Sequence, residues 1–272
     1  MILVNGVEQE QIEVTDRGLH YGDGLFETIA IVNGRPQLWQ AHMERLLEGC
    51  HRLGIPLPDV AQLAAEAAAA CVGSGRAVLK IIITRGSGGR GYLPPADAQP
   101  SRLLFCYPWP AHADDAAPIT LRLCRTPLSC NPALAGIKHL NRLEQVIARQ
   151  EWDEASIGEG LMCDPSGHLI EGTMSNLFVV RAGELLTPDL SECGVAGVMR
   201  RQVLALADAL LLSVRVTRLA VAEVEAADEV FITNSVLGIR PVSRFETVQY
   251  HDNPLTRRLQ SALRERLERE YA

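Results

Sequence analysis

Short apolar runs bounded by polar residues at Ile2–Val4, Val7–Val14 and Glu27–Val32 predict β-strands, and Asn33-Gly34 after the third predicts a hairpin turn. The period then changes. Trp39, Met43, Leu46, Leu47, Cys50 and Leu53 recur at helical spacing, predicting a helix over 38–53, and an alanine-rich stretch predicts another over 59–72. Strands are expected at 77–84 and 102–107. Pro108, Pro110 and Pro118 interrupt both helix and strand, so 108–118 reads as a linker between a first domain, 1–107, and a second, 119–272. In the second half, 119–124 alternates as a strand, 140–152 is amphipathic, and 157–187 resembles a meander with turns at 164–167 and 181–184. A helix over 198–212, strands at 213–219 and 229–233, and a terminal helix from 254 complete the chain. Helices and strands mixed without strict βαβ order predict two α+β domains.

Composition narrows the function classes. With 47% apolar residues spread among polar ones, the 272-residue chain is globular, and the net charge of −7 without a basic block argues against nucleic acid as a partner. The run Arg264–Glu270 alternates in sign, as a solvated helix face does. Seven scattered cysteines without a CxxC pair argue against zinc and a disulfide framework and point to a reducing cytoplasm. Neither a signal peptide nor an apolar stretch of membrane-spanning length is evident. The histidines lack metal-ligand spacing, so no metal site is expected.

Primary amines are scarce: Lys80 and Lys138 stand against 24 arginines. Lys80 lies in the apolar run Val78–Ile83, and Lys138 lies in Gly136–Arg142, at the expected mouth of a helix. A desolvated amine loses its preference for the ammonium form, which is what Schiff-base chemistry requires. An arginine-rich composition with one structural lysine explains the scarcity equally well.

Gly86–Gly91 spells GxGxxG after a strand, but Tyr92-Leu93-Pro94-Pro95 cannot begin the helix that a dinucleotide site needs. The segment reads instead as a mobile loop whose Arg85 and Arg90 could clamp a carboxylate, or as a plain glycine-rich turn. Glu171, between apolar runs, needs a cationic partner if buried and is otherwise an exposed hairpin residue. Gly194–Gly197 before a helix, Thr233-Asn234-Ser235 after a strand, and Arg45 each suit a phosphate, and each also has an ordinary structural reading.

Together, Asp16–Thr28, His42–Leu46, Lys138, Glu171–Phe178 and Gly197–Arg200 resemble the fold-type IV pyridoxal-phosphate enzymes, in family order along almost the whole chain. The resemblance implies an α+β fold of two domains, a smaller α/β N-terminal one and a larger, mixed, β-barrel-like C-terminal one. It also implies pyridoxal 5'-phosphate as cofactor and a homodimer. Arg85–Tyr92 and Asn131–Gln145 look like a lyase branch of the family, which implies cleavage of 4-amino-4-deoxychorismate to 4-aminobenzoate and pyruvate in folate biosynthesis. A D-amino acid or branched-chain transaminase on the same fold is the alternative. By resemblance, Lys138 carries the cofactor and moves the proton, and Glu171 pairs with the ring nitrogen. Arg45, the Val198 and Met199 amides, Asn234 and Ser235 hold the phosphate. Thr28 assists proton transfer, while Arg90 and Tyr92 hold a substrate carboxylate. Some transaminases have a tyrosine where Leu143 stands here. D-amino acid transaminases have a tyrosine in place of Phe26 and an apolar residue in place of Thr28, and both differences favour the lyase.

Overall fold

The computed structural model describes residues 1–113 and 117–271. It divides into two compact units: Met1–Ala111 with Ile137–Asn141, and His112–Gly136 with Arg142–Ala272. The linker expected over 108–118 includes residues 114–116, which lie outside the described residues.

In the first unit, β1 (Ile2–Val4) pairs with β2 (Val7–Glu8). The strand expected to run on to Val14 stops at Glu8, because Val7, Ile12 and Val14 stay exposed and offer no buried face. The short helix α1 (Arg17–Tyr21) had no apolar period to announce it; its N-cap Asp16 accepts from the Gly18 N–H at 2.7 Å, and Gly22 closes it at φ 63°. Then come β3 (Gly24–Val32), β4 (Arg35–Pro36), α2 (Trp39–Leu53), α3 (Val60–Ala70), β5 (Arg76–Thr84) and β6 (Ser101–Pro108). The expected Asn33-Gly34 turn joins β3 to β4, both residues at positive φ. The strands form a six-stranded antiparallel sheet, β2-β1-β6-β5-β3-β4. Leu25, Glu27, Ile29 and Ile31 of β3 are buried on one face, while Phe26 and Thr28, with Lys80 and Ile82 of β5, are half-buried on the other.

The second unit contains β7 (Ile119–Leu123), α4 (Leu143–Arg149), β8 (Ile157–Cys163), β9 (His168–Gly172), β10 (Asn176–Arg181), β11 (Glu184–Pro188), α5 (Val198–Ala209), β12 (Val214–Thr217), β13 (Leu219–Ala220), α6 (Val221–Glu225), β14 (Glu229–Asn234), β15 (Gly238–Phe245), β16 (Val248–Gln249) and α7 (Pro254–Tyr271). Its ten-stranded sheet runs β12-β11-β10-β14-β15-β7-β8-β9-β13, with β16 on β15. The meander expected across 157–187 is therefore two separate hairpins: β10 pairs with β14, not with β9. The curled sheet brings β9 and β13 against β10 and β11, giving the barrel-like form without a closed ladder. Leu161, Leu177, Val179, Ile232, Val242 and Phe245 lie in its core. No helix among the described residues is long and apolar enough to cross a membrane.

Glu229 at the start of β14 is buried and caps α7 from a distance, accepting from the Leu255 and Thr256 N–H groups at 2.8 Å and from the Thr256 hydroxyl at 2.7 Å. Glu229→Ala would strand these donors, and we expect urea denaturation to show a loss of about 2–3 kcal/mol.

Candidate active site

Lys138 belongs to the five-residue stretch Ile137–Asn141, which the chain contributes to the first unit from the middle of the second. It does not lie at a helix mouth, since α4 begins only at Leu143. The stretch pairs instead with the start of β3: the Phe26 N–H donates to the Lys138 carbonyl at 2.9 Å, and the Leu140 N–H to that of Gly24 at 3.0 Å. Lys138 Nζ thereby lies 4.4 Å from the centre of the Phe26 ring. Lys80 Nζ lies 5.3 Å from the same ring, and Lys80 is the cross-strand partner of Thr28. Both lysines thus reach one aromatic side chain. Lys80 is a residue of β5, as its apolar run predicts, and the β3–β5 register sets it beside Thr28.

On the other face of β3, Glu27 is fully buried. It accepts from Arg45 Nε at 2.8 Å and Nη2 at 2.5 Å, and bonds His42 Nδ1 at 2.6 Å. Burial alone would raise the Glu27 pKa, but the Arg45 charge and the His42 bond prevail and hold it at about 2. Burial pushes His42 down against the pull of Glu27, so the imidazole is kept toward its neutral form. Arg45, assigned to the phosphate by resemblance, is thus fixed in orientation by a two-point fork.

The glycine-rich loop is anchored rather than loose. Arg17 donates through Nε to Asp23 Oδ2 at 2.9 Å, through Nη1 to the Gly91 carbonyl at 2.9 Å and through Nη2 to the Tyr92 carbonyl at 3.0 Å. The Gly91 N–H in turn donates to Tyr21 Oη at 3.1 Å. Arg85 does not join Arg90 in a carboxylate clamp. It is buried, forks onto Asp23 at 2.7 and 3.0 Å, and donates to the carbonyls of Leu53 and Gly54 at the end of α2. Burial pulls the Asp23 pKa up, but Arg85 and Arg17 outweigh it and hold the carboxyl below its ordinary value. Arg90 is exposed, and Tyr92, 85% exposed, sets its ring edge-on to Tyr21 at 5.5 Å.

In the second unit, Glu171 on β9 is 5% exposed and accepts from the Val195 N–H at 2.8 Å. Its charge also acts on the half-buried Arg142, whose pKa desolvation lowers while Glu171 opposes the shift. Glu159 organises the turn after β9, accepting from the Thr173 N–H and hydroxyl, the Met174 N–H and the Ser175 hydroxyl. Asn176 Nδ2 donates to the Val195 carbonyl at 2.8 Å, and a Cβ on Gly197 would collide with Asn176 Oδ1. Gly197 opens α5 without a side-chain cap, leaving the first-turn amides of buried Val198 and Met199 for an anion. Thr233, opposite Asn176 in the register, has a buried hydroxyl without a hydrogen-bond partner among the described residues. Asn234 Oδ1 caps its own turn, accepting from the Val236 and Leu237 N–H groups, and Ser235 is half-buried beside it.

The two units thus carry two sets of groups: amines, a hydroxyl and a fixed arginine in the first, and a held carboxylate with an uncapped helix end in the second. Sequence reasoning missed Glu27 and Glu159 as contributors, while Thr233 stood among its phosphate donors. Glu27 was visible only as a lone charge inside an apolar strand.

The family described as amino-transferase class IV matches residues 24–245, and the chain belongs to it. Enzymes of this family work with pyridoxal phosphate. An aminodeoxychorismate lyase of Vibrio harveyi is 39% identical over 97% of this chain and 99% of its own length. The crystal structure of a 4-amino-4-deoxychorismate lyase from Pseudomonas aeruginosa matches with a TM-score of 0.92 and 47% identity, covering 97% of this chain and 98% of that one. The branched-chain amino acid aminotransferase of Escherichia coli matches with a TM-score of 0.86 and 25% identity over 98% and 94%.

Because the folded Glu27 pKa of about 2 lies below its ordinary 4.5, its contribution to stability is complete above pH 4.5 and lost as pH falls from there toward 2. The contribution is about 3 kcal/mol. Urea titrations across that window should show Glu27→Gln with a flatter acid limb than wild type; parallel curves would place the acid sensitivity elsewhere.

Proposed function

From membership of the class IV family, we propose that this chain is a pyridoxal-phosphate-dependent lyase converting 4-amino-4-deoxychorismate to 4-aminobenzoate and pyruvate, in the folate pathway of the cytoplasm. One observation carries the reading. Lys138 approaches the Phe26 ring on the face that also bears Thr28, in a chain whose full-length relatives in Vibrio harveyi and Pseudomonas aeruginosa carry the name of this lyase. The residues fit the cofactor: α5 offers uncapped amides to a phosphate, Thr233 has an unmatched buried hydroxyl, and Glu171 offers a held carboxylate to a ring N–H.

When bound, the cofactor supplies an aldehyde for the amine and a protonated ring that draws electrons from it. Lys138 would be the residue that holds the cofactor, and its amine, when free, would take the proton from substrate C4. Glu171 would pair with the ring nitrogen and favour its protonated form. Arg45, the Val198 and Met199 amides, Asn234 and Ser235 hold the phosphate. Loss of the C4 proton and departure of the enolpyruvyl oxygen from the neighbouring carbon of the substrate's ring would make up one elimination, for which the bound group would supply the electron sink. The departing enol collects a proton and becomes pyruvate, and the ring left behind is aromatic. Thr28 assists the proton transfers. Arg90 and Tyr92 hold a substrate carboxylate, and the Lys80 ammonium on the Thr28 face offers a second cation to a substrate with two carboxylates. A homodimer suits the surface of α4, where Leu143, Val146 and Ile147 form an exposed apolar stripe at helical spacing.

Purified protein given aminodeoxychorismate should release 4-aminobenzoate and pyruvate in equal amounts. Release of neither, with amination of 2-oxo acids, would identify a transaminase instead. Lys138→Ala should stay folded and lose turnover by about 10³-fold or more. Borohydride reduction of the wild type should label Lys138, and label on Lys80 would overturn the assignment.

A further inference from the structure

Arg17 lies 74 and 75 residues from the two carbonyls it binds, those of Gly91 and Tyr92, which directly follow Arg90. A planar guanidinium makes such a contact with little freedom, because its donors point in fixed directions. Its remaining orientation is set from two sides. Asp23 takes Nε and is itself gripped by Arg85, which is moored to the last carbonyls of α2. Below, the Tyr21 ring lies 4.8 Å from the guanidinium carbon, and its hydroxyl accepts from Gly91. The loop is tied at its start as well, by the Arg17 N–H to the Gly86 carbonyl at 2.9 Å and the Gly88 N–H to the Thr15 carbonyl at 3.2 Å. Gly91, at φ 103°, takes a turn that an L side chain would resist. Such a loop, glycine-rich and exposed at Arg90, Tyr92 and Leu93, has little apolar burial of its own to hold it in one place.

We propose that Arg17 is the positioning residue for Arg90: by gripping the backbone just past Arg90, it fixes where that guanidinium meets the substrate carboxylate. The inference rests on the reading above, in which Arg90 binds that carboxylate. Arg17 touches neither substrate nor cofactor in this scheme. It acts through the loop, with Asp23 and Tyr21 as its supports.

Arg17→Lys keeps a charge for Asp23 but cannot span both carbonyls. In the holoenzyme it should raise KM about tenfold while kcat stays within about threefold, as expected when substrate binding and not the chemical step is weakened. Arg17→Lys should add nothing to Arg90→Ala, since a residue that works through Arg90 has no effect once Arg90 is gone. In the protein without substrate, trypsin cleavage after Arg90, followed by the mass of the peptide beginning at Gly91, should speed up about tenfold as the loop is released. Multiplicative kinetic effects, or an unchanged cleavage rate, would overturn the proposal. An Arg90→Ala enzyme with unaltered KM would instead defeat the carboxylate reading, while faster cleavage in Arg17→Lys would still uphold the grip on the loop. Should Arg17→Lys fail to fold, Tyr21→Phe removes only the acceptor for Gly91, and both readouts should move in the same direction by about threefold; no movement in either sinks the idea.

Discussion

A carboxylate taken out of water must be met by donors, and the arrangement of both units follows from how six of them are met. Asp16 holds the Gly18 N–H and the hydroxyls of Thr84 and Ser101, so it seats α1 against β5 and β6. Asp23 gathers Arg17 and Arg85, and through them the glycine-rich loop and the end of α2. Glu27 aims Arg45. Glu159 shapes the turn after β9, Glu171 fixes Val195 ahead of α5, and Glu229 caps α7. Each acid draws segments distant in sequence to one point. Removing any of them leaves buried donors unmatched, a heavier penalty than the loss of one surface ion pair.

The same demand accounts for the cations. Arg85 makes four hydrogen bonds to a carboxylate and two carbonyls, and Arg102 grips Glu66 in similar fashion. A forked, permanently charged group does this well and an ammonium does not. The two lysines of the chain lie elsewhere, and both approach Phe26.

Much of this was legible in the sequence, where periodicity was strong. The helices at α2, α3, α5 and α7 and the strands β3, β5 and β6 follow from apolar spacing, because each buries one face. What was missed lacked that signal. In β15, Arg240, Pro241, Ser243 and Arg244 break the apolar pattern, yet the strand is held between β14 and β7. The separation of β9 from β10 depends on long-range pairing with β14, which no local pattern encodes. At the site, the residue types at Lys138, Glu171, Arg45 and Gly197 were readable, but their partners were not. Arg85 and Arg90 look alike as loop arginines. Only the fold shows that one is consumed by Asp23 and the other faces solvent.

The stretch Ile137–Asn141 carries a consequence for how the chain is made. The N-terminal unit draws its last strand-like piece from residues that follow the start of the second unit. A ribosome therefore releases the first 111 residues with the Phe26 amide and the Gly24 carbonyl still awaiting Lys138 and Leu140. The unit reaches its finished state only after some thirty further residues have emerged, about a few seconds of synthesis. Lys138 arrives with the last piece, so cutting the chain at the apparent domain border would yield a first unit without it.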